Sequence, residues 1–278
     1  FTTSGGLIGK SAAEFVTDDG GTNHNYIIAG SAANSDGWTN ITVETWVKLD
    51  HMGKMGSEST FFSRGANSLP KVGTSSSNTA RLYGGSSSKA LNGNTTLTTG
   101  RWYHLAYTYN NSTGATKIYV DGKLDASATI DTGIMVSDVS ASMIGAQQEG
   151  NRAMDGVMGK ISIWNHELTQ AEIRTLMFMT GAEMQADDTN FPDATANDCK
   201  FFYNFDEGTG STIADSGPGG NNGTWGHNNG GTAAIWAGAG TFTHNTSTLN
   251  FTKSGTAVFN YLNDEDIHNL TIGTGNTL

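Results

Sequence analysis

An all-β protein built as an antiparallel sandwich is the architecture that three observations in this sequence point to. Gly and Thr each occur 37 times and Asn 25 times among 278 residues, against 3 Pro. Thr favours strands and Gly and Asn supply turns with positive φ, while the helix formers Lys, Glu and Leu are thin. Short alternating runs recur between Gly/Asn/Ser/Asp clusters, the spacing of a sandwich or barrel. The single Cys, Cys199, excludes an internal disulfide and reads as a buried or incidental thiol. Stability must then come from a packed core, which a chain of this length can build.

Taken in order, residues 41–49 (ITVETWVKL) alternate. Ile41, Val43, Thr45, Val47 and Leu49 share one side, and Thr42, Glu44, Trp46 and Lys48 the other. This predicts one face on a core and one toward water, with Trp46 covering the outer face. Residues 60–64, 102–110, 117–120, 142–145 and 157–164 read as further strands. The Asn/Ser/Thr/Gly run at 110–114 and the type I′ signal Asp121-Gly122 make residues 102–123 a three-stranded meander. Thr169-x-x-Glu172 is a capping box, and Ile173, Leu176, Met177 and Thr180 share a face before Gly181. This predicts one short helix, ended by Gly181 and lying as a lid on the sandwich. Residues 182–199, with Asp187, Asp188, Asp193 and Asp198, read as a solvated connection. Strand character resumes at 201–205 and runs into a Gly/Asn-rich stretch at 217–231. Beyond Trp236, short alternating runs near residues 241, 248, 257 and 269 suggest the start of a β-solenoid or stalk. The expected domains are therefore a jelly roll over 1–237 and a β-rich extension over 238–278, the latter a candidate for homo-oligomer formation.

Fifteen Lys and Arg against 26 Asp and Glu leave a formal charge of −11. No basic stripe appears, so nucleic acid is not an expected partner. No apolar run approaches the roughly 20 residues that span a bilayer, so no membrane partner is expected and the chain reads as soluble. It starts at Phe1 without a signal-peptide pattern, which reads as a processed chain or a piece of a longer one. A Lys-poor surface rich in Ser, Thr, Asn and Gly is associated with extracellular, cell-surface and virion proteins.

Residues 100–173 resemble the laminin-G/pentraxin-like branch of the concanavalin A-like jelly rolls. The resemblance rests on GRWYHLA (100–106), IYVDGK (118–123), IGAQQE (144–149), GKISIWN (159–165) and LTQAEI (168–173), in that order. With AEF (13–15) and NYII (25–28) upstream, it extends over about residues 10–236. FYNFDEGTG (202–210) and ADSGPGGNNGT (214–224) also resemble the family, although in many members that segment precedes the first core strands. Either the strand order is permuted or this is a closing strand in the equivalent place, and the second is preferred because the two ends of a sandwich chain lie close together. The resemblance implies two packed antiparallel sheets with jelly-roll connections.

Glycoside hydrolases share the scaffold, but a retaining enzyme needs two carboxylates about 5 Å apart. No strand carries Glu-x-Asp-x-x-Glu, the acidic Asp264-Glu265-Asp266 sits in a turn of the tail, and no Gly-x-Ser-x-Gly elbow accompanies the seven His. The chain is therefore read as a non-enzyme, with glycoside hydrolysis as a remote alternative, and His104 reads as structural. Ca²⁺ is the expected structural ion, because hard cations take oxygens from loops at sandwich ends. Three groups suit it: Asp18 and Asp19 with Asn23; Asp215 with Asn221 and Asn222; and Gln147, Gln148 and Glu149 with Asp155. The resemblance puts the third, together with Asn67, where pentraxin-like members hold Ca²⁺, but its single Glu is too few acids for a double site. The alternative for each group is an Asx-turn or solvated loop. Sugar binding needs an exposed aromatic with neighbouring polar groups. Trp225 with Asn228, Tyr83, and Trp38 beside Asp36 and Asn40 have that mixture, against the alternative that each Trp plugs the rim of the core.

Two functions from different classes remain. The first is a lectin-like adhesion module that binds glycans or a cell surface. The second is a structural subunit of a virus, phage or surface layer, with neighbouring copies in a particle or fibre as partners. Resemblance of fold does not choose between them.

Overall fold

The computed structural model describes residues 11–18, 23–30, 38–52, 58–64, 70–84, 89–135, 142–147, 152–187, 189–191, 198–228 and 234–237. The chain divides into two units, Phe1–Phe242 and Thr243–Leu278. The second unit, and with it the predicted solenoid rungs, lies outside the described residues.

The first unit is two antiparallel sheets. One holds β1 (Ala12–Phe15), β3 (Asn40–Leu49), β8 (Trp102–Asn110), β9 (Ala115–Val120), β10 (Lys123–Thr129), β12 (Gly156–Trp164), β13 (Cys199–Tyr203) and β16 (Trp236–Ala237). Its order is β10-β9-β8-β3-β12-β1-β16, with β13 also paired to β12. The other holds β2 (Asn25–Ile28), β4 (Thr60–Ser63), β5 (Lys71–Thr74), β6 (Thr79–Tyr83), β7 (Ala90–Thr96), β11 (Met143–Ile144), β14 (Thr212–Ile213) and β15 (Gly223–His227), in the order β14-β15-β2-β11-β4-β5-β6-β7. Phe15, Ile27, Val43, Phe61, Tyr107, Ile161 and Tyr203 belong to the core cluster of the sandwich. No helix among the described residues is long and apolar enough to cross a membrane.

The meander forms as its turn residues require. Asp121 and Gly122 both take positive φ, 49° and 70°, between β9 and β10. Asn110 Oδ1 accepts the Ser112 and Thr113 amides at the preceding hairpin. At the closing end, β1 pairs with Gly156–Met158 of β12, and β13 pairs with Ile161–Trp164 of the same strand. One long strand therefore carries two short ones along one edge.

Two expectations need correction. The chain forms two short helices where one was expected: α1 (Gln170–Leu176) and α2 (Gly181–Ala186). Gly181 opens the second instead of ending the first, because Thr180-x-x-Glu183 is a second capping box with both of its bonds formed. A Cβ on Gly181 would come within 2.5 Å of the Ser216 carbonyl, so close approach accounts for the glycine. The outer face of β3 also does not meet water. Trp46 is 2% exposed. Its Nε1 donates to the Met177 carbonyl at 2.7 Å, while Trp164, Leu168, Ile173, Leu176, Cys199 and Phe202 form a second core beneath the helices.

Candidate functional site

The site is built on the outer face of the second sheet. Val72, Ala80 and Leu82 point into the core, so strand alternation turns Lys71, Gly73, Arg81 and Tyr83 outward. The stretch before β4 lies against β5: the Thr74 amide donates to Ser59 O at 2.8 Å, and the Ser59 amide to Thr74 Oγ1 at 3.0 Å. That approach requires Gly73, whose Cβ would fall 1.8 Å from Ser59 O. From the far side come Gln147, just past β11, and Arg152, held at φ 57° by the bond from the Thr60 amide to its carbonyl. Together these residues line a small, open cleft.

Its electrostatics are lopsided. Among the described lining residues the cations are Lys71, Arg81 and Arg152 and the carboxylate is Glu58. Arg81 Nη1 bonds Glu58 Oε1, and Arg152 Nε lies 3.1 Å from Oε2. Both guanidinium groups also sit over the Tyr83 ring, with carbon-to-centroid distances of 5.0 and 5.9 Å. Three buried polar atoms of lining residues, Ser59 Oγ, Arg81 Nε and Gln147 Oε1, have no hydrogen-bond partner among the described residues. Unspent capacity of this kind costs free energy in a folded protein and is common where a ligand or water completes the network.

Of the residues expected to bind sugar, Tyr83 lines this cleft and the others lie elsewhere. Trp225 is 5% exposed and belongs to the core cluster. It pairs in register with the inward-facing Ile27 and packs against Phe15 and Trp236. Trp38 is 6% exposed, with Lys200 over its ring. Neither offers a face to a pyranose: strand alternation turns Trp225 inward, and Trp38, just before β3, is buried with it in the core cluster. Asn228 uses its amide to bond His24 O at the end of β15.

The cation-ligand groups fare differently. Asp215 takes three backbone amides on its carboxylate: Phe202 (2.8 Å) and Gly217 (2.9 Å) on Oδ1, and Asn221 (2.7 Å) on Oδ2. Asn222 Oδ1 accepts the Asp215 amide, and Asn221 Nδ2 donates to Lys200 O. This is the Asx-turn alternative, with the anion neutralised by amides that a Ca²⁺ would have to displace. Asp18 Oδ2 accepts Asn23 Nδ2 at 2.8 Å; Asp19, like Glu149, Gln148, Asn67 and Asp36, lies outside the described residues. Gln147 brings one free oxygen to the cleft, but its neighbours there are cations, and Asp155 contacts His51 at 3.0 Å. No group of three His, Cys, Asp or Glu able to hold a metal occurs among the described residues. Of the three groups, that of Asp215 is closed by amides, and the other two include residues outside the described ones.

Sequence reasoning missed Arg81, Arg152, Glu58 and Ser59. A signal existed for the first, since Arg81 and Tyr83 stand two apart on one strand and must share a face. It also missed a buried ionic network under the helices. Glu44 Oε2 meets His104 Nε2 at 2.8 Å, Glu44 Oε1 accepts Ser162 Oγ at 2.6 Å, and Lys160 Nζ lies 3.4 Å from Oε1. Burial holds His104 below its ordinary pKa despite the opposing pull of Glu44. Burial also raises Glu44, but Lys160 and the bonds from His104 and Ser162 outweigh it and leave the carboxyl below its ordinary range. Glu44, His104 and Lys160 are all fully buried, so the cluster fastens the helices to the sheet and meets no substrate.

Residues 19–174 match a laminin-G family model described as Concanavalin A-like lectin/glucanases superfamily. A solved structure from Bacteroides ovatus, provisionally described as a carbohydrate-binding protein, is similar with a TM-score of 0.60 and 21% identity, over 83% of this chain and 60% of that one. A heptameric SAP-like pentraxin from Limulus polyphemus aligns over 60% of this chain and 80% of its own, at 18% identity and a TM-score of 0.44. The rat sushi, von Willebrand factor type A, EGF and pentraxin domain-containing protein 1 is 29% identical over 85 residues, 28% of this chain. This chain spans only 2% of that rat protein's length.

Proposed function

Because the chain belongs to the concanavalin A-like lectin/glucanases superfamily, we propose that it is a non-catalytic, lectin-like module of an extracellular protein, binding glycan in the cleft around Tyr83. One observation carries the reading: three residues that line one open cleft beside an aromatic ring and charged side chains, Ser59, Arg81 and Gln147, each hold a buried polar atom with no partner among the described residues. Convergent polar groups in a concave site are what sugar hydroxyls require. Binding is favoured over hydrolysis because the described residues of the cleft supply one carboxylate, Glu58, where a glycosidase uses a pair.

A glycan array and calorimetry on the full chain test this. Wild-type protein binds a subset of glycans, and Tyr83→Ala, which removes the ring under both guanidinium groups, weakens binding at least about tenfold with the fold intact by circular dichroism. A wild-type chain that binds no glycan, and instead assembles with itself or onto a particle, would overturn the reading in favour of a structural surface protein.

A further inference from the structure

We infer that the cleft recognises an anionic group on its glycan, a carboxylate or sulfate, directly through Arg81 and Arg152 and without a bridging metal ion; this rests on the glycan-binding reading above. The chain as a whole carries −11, yet among the described residues of the cleft two guanidinium groups share one carboxylate, Glu58. A cation such as Ca²⁺ entering the cleft would be repelled by that set, and an anion is attracted.

The way the arginines are held also fits an anion. Glu58 engages each guanidinium by one edge, through Nη1 of Arg81 and Nε of Arg152. Among the described residues, Arg81 Nε has no acceptor. Planar guanidinium forks match the geometry of carboxylate and sulfate oxygens. Tyr83, under both guanidinium groups, orients them and pre-sets the geometry. A ring engaged in this way has less face to offer a neutral pyranose. Ser59, 2% exposed, and Gln147 line the same cleft, each with a buried side-chain oxygen that has no partner among the described residues.

The test uses the full chain in EDTA and three probes: polygalacturonate oligosaccharides, their methyl esters, and sulfated heparin oligosaccharides. We expect binding to at least one acidic probe, with the methyl esters at least about tenfold weaker; preference between the two acids tells carboxylate from sulfate. Arg152→Gln, at a partly exposed position, should weaken acidic binding roughly tenfold. Glu58→Gln, which removes the competing carboxylate, should strengthen it severalfold. Equal binding of esters and acids would overturn the inference and leave the glycan reading standing, as would acidic binding that requires added Ca²⁺. Weakening by both variants alike would also overturn it. Failure of every glycan, acidic or neutral, would overturn both.

Discussion

Lys160 shows how much a single side chain can hold in this protein. Fully buried, it donates to the carbonyls of Leu176 and Met179 while pairing with Glu44, so it ties a strand to the end of a helix. Glu44→Gln would leave that ammonium buried without its counter-charge, and such losses cost about 3–5 kcal/mol. Urea unfolding should show a drop of that order; a change under 1 kcal/mol would mean the pair is not ionised. The same residues set an acid limit. His104 titrates below its ordinary value of 6.5 in the fold, so the unfolded chain binds protons that the folded chain refuses as pH falls past 6.5. Stability is full above that point and lost below it, and Glu44, lowered from 4.5, extends the loss as pH falls further. The urea midpoint should therefore fall between pH 7.5 and pH 5, and His104→Gln should flatten that slope even though it lowers stability at both ends. None of this was legible in ITVETWVKL, whose alternation gives the two faces of a strand but not what covers the second one.

At the level of elements, legibility followed the range of the interactions. The turn at Asp121-Gly122 and the Thr169/Glu172 cap are closed by residues within a few positions of each other, and both appear as read. The far end of α1 is held by residues distant in sequence, Trp46 on the Met177 carbonyl and Lys160 on Leu176 and Met179. No local pattern announces such a stop, which is why Gly181 was taken for it. Thr180→Ala tests the second cap: it removes the acceptor for the Glu183 amide and should cost about 1 kcal/mol in chemical denaturation. If the variant unfolds at the wild-type midpoint, α2 is held by Gly181, Met184 and their sheet contacts alone. The candidate site divides in the same manner. Tyr83 and Gln147 were reachable from strand and loop patterns, whereas Glu58, Ser59 and Arg152 reach the cleft only through pairings between segments far apart in the chain.

On the scale of the whole molecule, an acidic chain gathers Arg81 and Arg152 around Glu58 in one cleft, so average charge does not describe each part of the surface. Composition revealed the sandwich and the resemblance gave its order of strands, but the second core under α1 and α2 comes from packing across the whole unit. The pairing of β1 with β16 has a mechanical consequence. Ala12 lies opposite Ala237 in an antiparallel ladder, so the chain comes in and goes out side by side at one border of the sheet. Tension drawn through those two points would part this short ladder one rung at a time, like a zipper, before the load passed to the pairing of β1 with β12.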